Sequence, residues 1–267
     1  SEAKGLGATA IKVYLNVDKD LFKKIADEAK RQGLKVWAHA VVPPTKAIDI
    51  TNGGADVMSH ADKIVQYEYI EGNIKGRYDF DSPDKAKEYR KKIETIKWDK
   101  NSDKAKTIFN AMKQNNSILD PTLWVYKEFL FMAENEESKK ASLDMLAGAT
   151  KTVKAAYEAG VKIGAGSDSM IGEDGYTINI HSELELLVKA GLSNIDALRA
   201  ATIINAEGLG ENDIIGSVEK GKLANLVILN SNPLENISNS RDIKYVVKRG
   251  KVYDGVNSLS SNDEEND

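Results

Sequence analysis

The sequence predicts an α/β protein with a parallel sheet, followed by a short all-β segment. Strand-like and helix-like stretches alternate with short turns over residues 7–61, which is typical of parallel βα units. After residue 213 the pattern changes to short strands separated by glycine turns. The composition, 41% hydrophobic and 29% charged, is that of a globular chain with enough apolar material for a sizeable core.

The first βα unit is the clearest. Residues 7–15, GATAIKVYL, are rich in β-branched and aromatic side chains and predict a strand. Residues 18–32 predict a helix, in which Asp18 is a suitable N-cap and Gly33 suits the left-handed position after the last turn. One apolar stripe runs along this helix at helical spacing and consists of Leu21, Phe22, Ile25, Ala26 and Ala29.

The next elements follow in the same rhythm. Residues 34–40, LKVWAHA, and residues 55–61, ADVMSHA, predict the second and third strands. A short helix over residues 45–52 separates them, and two glycines close it.

The later part of the chain is longer and less regular. Residues 61–117 are polar with a helical pattern, and SILDPTLWVY (117–126) predicts a fourth strand. The helical pattern returns from about residue 122 to 159, and VKIGAGSD (161–168) predicts a fifth strand before helices over residues 179–207. We therefore expect three regions: an α/β region over 1–212, a small β region over 213–256 and a disordered acidic tail over 257–267.

Several classes of protein are disfavoured by composition. The formal net charge of −4 gives no basic surface for nucleic acid, and no apolar run approaches the roughly 20 residues of a membrane span. Because the chain has no cysteine, disulfides and thiolate chemistry are excluded. The sequence opens without an initiator methionine or a signal-peptide pattern, so we expect a cut N-terminus. The compartment stays open: a soluble protein, cytoplasmic, or exported if the missing part carries a signal peptide.

Four polar residues lie at predicted strand ends: Lys12, His39, His60 and Asp168. The spacing between the first three is about one βα unit each, so parallel strands place them side by side at the carboxyl edge of the sheet, where α/β barrels build their sites. By alternation, His39 shares a face with Trp37. By the same rule, His60 shares a face with the methionine two residues before it. Two imidazoles, a lysine and a carboxylate at one edge predict a metal site.

Each of these residues also has an ordinary structural interpretation. The lysine could extend its ammonium to solvent at a strand end, and each histidine could be a hydrogen-bonded core residue. Asp168 could cap the following turn. Tyr14, on the face of Lys12, and His181, which precedes a helix, are candidate substrate contacts; barrel packing and a solvated helix start explain them as well.

The ordered set of motifs resembles the amidohydrolase superfamily, in particular its branch of imidazolonepropionase-like and Xaa-Pro-dipeptidase-like enzymes. GATAIKVY resembles the strand that carries a carboxylated lysine, and WAHA and MSHA resemble the two strands that each supply one histidine ligand. GAGSDS resembles the last barrel strand, with its metal-binding aspartate. HSELELLVKAGLSNIDALRAATIINAEGLG and GSVEKGKLANLVILNSNPLENI resemble the segments that follow the barrel.

The resemblance implies the second part of a TIM-like (β/α) metal-dependent hydrolase barrel followed by a small β-sandwich-type segment. It assigns Lys12, as a carbamate formed with CO2, together with His39, His60 and Asp168 to one or two divalent metal ions, with zinc as first choice. Asp168 would also be the catalytic proton acceptor. The implied reaction is cleavage of a C–N bond in an amide, peptide or cyclic amide by a metal-activated hydroxide. The expected partner is therefore a small molecule, and a homo-oligomer is left open.

Two departures from the family pattern keep alternatives open, and a third, at Asn225, lies outside the active site. Val41 stands where the dipeptidase-like branch has tyrosine, and Asn225 stands where the family usually has aspartate. With three histidines in the whole chain, the family's His-x-His pair is absent. The chain is accordingly expected to be either a fragment of a longer enzyme or a decayed, non-catalytic scaffold that binds at most one metal. A barrel lyase that uses Lys12 as a Schiff-base amine ranks last, because it leaves the other three residues without a joint purpose.

Overall fold

Five parallel strands form the main sheet in the computed structural model, which describes residues 2–76, 79–170 and 179–254. The strands are hydrogen-bonded in chain order, so each crossover brings the next strand beside the last. Among the described residues, the first and fifth strands are the two edges of this sheet. The strands are β1 (Ala10–Val13), β2 (Lys35–His39), β3 (Val57–Ser59), β4 (Ile118–Asp120) and β5 (Lys162–Ile163).

Helices cover this sheet and supply most of the core. Fully buried side chains, among them Phe22, Met58 and Leu119, join sheet and helices into one hydrophobic cluster. The helices are α1 (Glu2–Gly5), α2 (Lys19–Arg31), α3 (Ala47–Gly53), α4 (Ile64–Tyr67), α5 (Pro83–Glu94), α6 (Asp103–Gln114), α7 (Leu123–Phe131), α8 (Glu136–Glu158), α9 (Ile180–Lys189), α10 (Asn194–Arg199) and α11 (Asn205–Leu209). The predicted α/β class is confirmed. No helix in the described ranges combines the length and the apolar character that a membrane crossing requires.

Helix α2 forms as its sequence predicts. The side chain of Asp18 accepts hydrogen bonds from the backbone N–H groups of Asp20 and Leu21, which satisfies two of the donors that a helix start leaves open. Gly33 has φ +69° just past the helix end. The buried face of α2 is formed by members of the predicted stripe, Phe22, Ala26 and Ala29.

The register of the sheet sets which side chains share a level. Lys12 lies opposite Trp37, whereas His39 lies opposite Ser59, and Ser59 lies opposite Asp120. Lys12 is therefore one pleat further from the carboxyl edge than the other three, and its long side chain spans that difference.

The fourth predicted strand was wrong in its second half. The strand ends at Asp120, because Pro121 has no N–H to continue the ladder and Thr122 has a left-handed backbone with φ +52°. Helix α7 begins at the next residue. The apolar run LWVY, typical of a strand by composition, is thus the first turn of a buried helix.

Within the described ranges, the chain that follows the edge strand β5 is hydrogen-bonded by a side chain. The side-chain amide of Asn205 accepts from the backbone N–H of Ala165 at 3.1 Å and donates to the carbonyl of the same residue at 2.8 Å. A π-helical turn, Ala200–Ile204, directly precedes Asn205. Through this turn, the chain after α10 presents an amide to the residues that follow β5.

A second sheet lies near the end of the described chain. It is antiparallel, and its first strand pairs with the next strand of the same sheet rather than with the parallel sheet. Arg249 and Gly250 join the last two strands with positive φ at both positions, as a type I′ turn requires. The predicted acidic tail, 257–267, lies outside the described residues. The strands are β6 (Leu226–Leu229), β7 (Ile243–Lys248) and β8 (Lys251–Asp254).

Candidate active site

Two imidazole rings meet at the carboxyl ends of β2 and β3. The Nε2 atoms of His39 and His60 are 3.2 Å apart, and the rings pack edge to face with centroids 4.3 Å apart. Burial lowers the pKa of His39 to about 3, and the neighbouring ring and Lys12 act in the same direction. Burial also lowers the pKa of His60 to about 4. Both rings are therefore neutral near pH 7, which is the form that binds metal ions.

His60 reaches its partner because its backbone breaks the alternation of the strand. If side chains simply alternated along the strand, His60 would lie on the same face as Met58. That face packs on α3, where Met58 Sδ accepts a hydrogen bond from the hydroxyl of Thr51. That expectation for His60 was wrong. A left-handed φ of +72° at His60 turns the imidazole to the face of His39 and Ser59 instead. Positive φ at a residue with a large side chain is uncommon, and such conformations concentrate at functional sites.

The other ring nitrogen of His60 has its own partner. Nδ1 lies 2.8 Å from the hydroxyl of Thr122, and 4.0 Å from Oδ2 of Asp168. Both of these neighbours also have left-handed backbones, with φ +52° and +48°. Segments that follow β3, β4 and β5 thus meet at the imidazole of His60, and the hydroxyl of Thr122 holds its orientation.

Lys12 is linked to this region by a hydrogen bond to Ser59. Its Nζ donates to Ser59 Oγ at 2.9 Å, and Ser59 Oγ donates to Asp120 Oδ2 at 3.2 Å. Burial lowers the pKa of Lys12, while the carboxylates of Asp120 and Asp168 oppose that shift. Lys12 in turn lowers the pKa values of both histidines, so the four residues predicted from strand ends are electrostatically connected.

Asp120 is a site residue that the sequence-based prediction missed. Burial raises its pKa to about 6, while Lys12, the Ser59 hydroxyl and the backbone N–H of Gly166, which lies beside Oδ1, act against that shift. A Cβ at Gly166 would lie 2.6 Å from that oxygen, so the glycine leaves the space that the carboxylate occupies. Its position at the end of a parallel strand, before a proline, was the available signal. Extending the fourth strand to residue 126 concealed it.

Tyr14 and His181 lie in different surroundings. The ring of Tyr14 packs edge to face on His39 at 4.3 Å and is 60% exposed, so it lies at the open side of the histidine pair. His181 Nδ1 lies 3.0 Å from Ser240 Oγ, on a 3₁₀ turn that precedes β7. Burial and Arg241 lower the pKa of His181. Its described hydrogen bond therefore joins α9 to the region of the second sheet.

Two buried glutamates anchor the chain around these side chains. Glu183 on α9 accepts from the backbone N–H groups of Leu123 at 2.9 Å and Trp124 at 2.7 Å, which caps the start of α7. Burial raises the pKa of Glu183 to about 8, and the two backbone donors act against that shift. Glu128 on α7 accepts from the backbone N–H of Met170 at 2.8 Å, two residues after Asp168.

The donor atoms suit a divalent cation. The Nε2 atoms of two neutral imidazoles lie 3.2 Å apart, a buried amine has a lowered pKa, and the carboxylate of Asp168 lies 4.0 Å from His60. Nitrogen and carboxylate donors of this kind fit zinc, manganese or iron. Within the described residues, however, no three histidine, aspartate or glutamate side chains are grouped as a ready metal site. A resident metal would need a further ligand.

Imidazoles, carboxylates and a lysine thus lie at the carboxyl edge of a parallel sheet, the edge at which α/β folds build their sites. Residues 4–253 match the model of the amidohydrolase family. The chain belongs to the amidohydrolase family, which confirms the resemblance seen in its sequence.

Individual relatives agree with that assignment. A protein from Nematostella vectensis described as a probable imidazolonepropionase is 33% identical over 105 residues, which is 37% of this chain and 24% of the relative. The crystal structure of a Xaa-Pro dipeptidase with bound methionine is similar with a TM-score of 0.68 and 21% identity, over 94% of this chain and 56% of the dipeptidase. A. niger ochratoxinase is similar with a TM-score of 0.67 and 22% identity, over 94% and 52%. The chain thus spans about half the length of these solved structures.

Proposed function

We propose that this chain is the later part of a TIM-like barrel in a metal-dependent amidohydrolase that cleaves a C–N bond of an amide, peptide or cyclic amide. The observation that supports it best is the meeting of His39 and His60, neutral and 3.2 Å apart, beside the buried amine of Lys12. In this proposal β1 to β5 are the later barrel strands. Residues 213–256 form a small separate unit, consistent with the second sheet.

The residues that would hold the cation are Lys12, His39, His60 and Asp168. A carbamate on Lys12 would supply the further oxygen ligand that the described histidines and carboxylates do not complete. Zinc is the first choice, because imidazole and carboxylate donors suit it. When bound, one or two such ions supply the Lewis acidity that activates water near neutral pH and polarises a carbonyl group.

The chain's own side chains would orient and move protons. Thr122 holds Nδ1 of His60, which leaves Nε2 directed at the metal position. Asp168 is 56% exposed, so Oδ2 can receive a proton from the attacking water and deliver it to the leaving nitrogen. Tyr14, exposed beside His39, is proposed as a substrate contact, and His181 as a second one.

The substrate class follows from the family and the relatives. The names of the similar proteins, imidazolonepropionase and Xaa-Pro dipeptidase, describe a cyclic amide and a peptide bond. Both are C–N bonds next to a carbonyl group. Val41, in place of the tyrosine expected in the dipeptidase-like branch, favours the broader statement over a Xaa-Pro dipeptidase.

A second candidate is a non-catalytic amidohydrolase scaffold that binds at most one metal. The observation that favours it is the absence, within the described residues, of a group of three histidine, aspartate or glutamate ligands. In that case the two imidazoles would serve mainly as packed, mutually hydrogen-bonded core residues.

Titration with zinc tests the metal site on this chain. We expect about one ion to bind, and binding to be lost in a His39→Ala/His60→Ala double variant. His181→Ala is the matched control and should bind like the wild type, because its described hydrogen bond goes to Ser240. Unchanged zinc binding in the double variant would contradict the proposed site.

An amide-hydrolysis screen on the same zinc-loaded preparations tests directly for the hydrolase. Turnover that Asp168→Asn abolishes while zinc stays bound supports the hydrolase. Zinc binding with no turnover is expected both of the scaffold and of the later part of a barrel assayed by itself, so turnover is the result that decides.

A further inference from the structure

Two hydrogen bonds in sequence link Lys12 to the buried carboxylate of Asp120 through the hydroxyl of Ser59. Neither Ser59 nor Asp120 has a role in the function proposed above. We propose that Ser59, oriented by Asp120, is the positioning residue that turns Nζ of Lys12 for reaction with carbon dioxide and holds the resulting carbamate in place. This inference rests on the proposed function.

Asp120 determines which way the serine hydroxyl points. A hydroxyl has one proton to donate and two lone pairs to accept with, and it rotates to suit its neighbours. The hydroxyl of Ser59 donates a hydrogen bond to Oδ2 of Asp120, with 3.2 Å between the two oxygens. Its lone pairs therefore face Nζ of Lys12, which lies 2.9 Å from Ser59 Oγ. Ser59 is 4% exposed, so solvent competes little for either bond.

The supporting backbone is well fixed. The carbonyl of Ser59 accepts from Ala40, and the carbonyl of Asp120 accepts from His60, both within 3.0 Å. Gly166 leaves room for the carboxylate, since a Cβ there would come 2.6 Å from Oδ1. The pair is therefore built on paired strands, where a site holds its geometry better than on loops.

The chemistry of carboxylation explains why a single acceptor matters. The ammonium first loses a proton to solvent; the amine nitrogen then bonds to the carbon of carbon dioxide. One C–O π pair moves onto oxygen, and a second N–H proton leaves to solvent. The carbamate nitrogen keeps one N–H and is planar with its carboxylate, as in an amide. If that N–H donates to Ser59, the direction of the carboxylate is fixed as well.

Without such an acceptor, the side chain of Lys12 could adopt many alternative conformations. Its four-carbon side chain is flexible and can adopt many rotamers. The hydrogen bond to Ser59 limits this freedom before the carbamate forms. A purely structural serine, by contrast, would affect stability but not the state of Lys12.

Ser59→Ala and Ser117→Ala form a matched pair of variants. Ser117 is also buried, at 1% exposed, precedes β4 and donates to the carbonyl of Ala55 at 2.8 Å. Ser117→Ala loses one buried hydroxyl hydrogen bond, whereas Ser59→Ala loses two, one to Lys12 and one to Asp120. Only Ser59→Ala loses the acceptor of Lys12.

The assay is ¹³C NMR of protein equilibrated with ¹³C-bicarbonate, with Lys12→Ala to assign the carbamate signal and zinc affinity by calorimetry. Loss of an outer-shell partner typically weakens metal binding by about 10–100-fold, so we expect Ser59→Ala to lose zinc affinity in that range together with most of the signal. Ser117→Ala should keep both. Ser59→Cys, nearly isosteric but with a weakly accepting sulfur, should behave like Ser59→Ala if the alanine variant folds poorly.

Two results would overturn the inference, and they are distinguishable. Equal carbamate signal and zinc affinity in Ser59→Ala, Ser59→Cys and Ser117→Ala would remove the positioning role and leave the proposed function intact. A wild-type protein with neither carbamate nor zinc would refute the proposed function, and the inference with it.

Discussion

Replacement of Glu183 by alanine should destabilise the protein far more than replacement of its neighbour Glu185. The two glutamates lie on the same helix, α9. Glu183 is fully buried and accepts the backbone N–H groups of Leu123 and Trp124, which are themselves buried. Glu185 is partly exposed, and its described partner is Arg241 at 3.3 Å.

The expected loss of unfolding free energy depends on which hydrogen-bond or ion-pair partners each variant leaves unpaired. Glu183→Ala leaves two buried N–H groups without an acceptor, at about 1–3 kcal/mol each, or about 2–6 kcal/mol together. No other cap compensates in the described structure, because the side chain of Thr122 at the N-cap position makes no capping bond. Glu185→Ala removes a surface ion pair, worth about 0–1 kcal/mol. A domain has only about 5–15 kcal/mol of unfolding free energy, so the first loss is a large fraction of it.

Urea unfolding followed by far-UV circular dichroism measures both variants at one pH and ionic strength. The unfolding midpoint should fall strongly for Glu183→Ala and little for Glu185→Ala. Equal losses, each under about 1 kcal/mol, would show that the start of α7 finds another acceptor and that our account of the cap is wrong.

Two further predictions concern the site. His39 and His60 have folded-state pKa values of about 3 and about 4, below the ordinary value of 6.5, so the unfolded chain binds protons first as pH falls. Their contribution to stability is therefore full above pH 6.5 and is lost on acidification towards pH 4, by at most about 1.4 kcal/mol per pH unit for each ring. Urea unfolding at pH 7 and 5 should show a smaller loss in His60→Asn than in the wild type, and identical losses would contradict it. Gly166→Ala should cost about 1–3 kcal/mol, since the added Cβ would lie 2.6 Å from Oδ1 of Asp120. Gly5→Ala, where nothing lies within 4 Å of the added atom, is the control, and equal melting temperatures for the two variants would rule out the steric explanation.

Sequence alone predicted the features that depend on local pattern and on the periodicity of βα units. The helix cap at Asp18 and the left-handed Gly33 need only their immediate neighbours. The spacing of Lys12, His39 and His60 follows from parallel strands in chain order, because equivalent positions then share one edge.

What sequence could not provide depends on backbone conformation and on distant contacts. The left-handed φ at His60 reverses the face that alternation assigns, and no local rule marks a histidine for it. The start of α7 is fixed by Glu183, about sixty residues away in sequence. Asp120 was within reach, since it ends a parallel strand, but its role depends on Ser59, which local pattern marks only as a buried strand residue.

The π-helical turn before Asn205 makes the length of that stretch as important as its composition. Ala200–Ile204 carries the wider winding that delivers the Asn205 amide to Ala165. If the same residues wound as a regular α-helix of 3.6 residues per turn, the extra residue that the wider turn absorbs would rotate every later side chain by roughly 100° around the helix axis. The amide would then face away from β5, and no substitution at position 205 could restore the pairing. The hydrogen bonds beside β5 therefore depend on how the helix winds before Asn205 as well as on the asparagine itself.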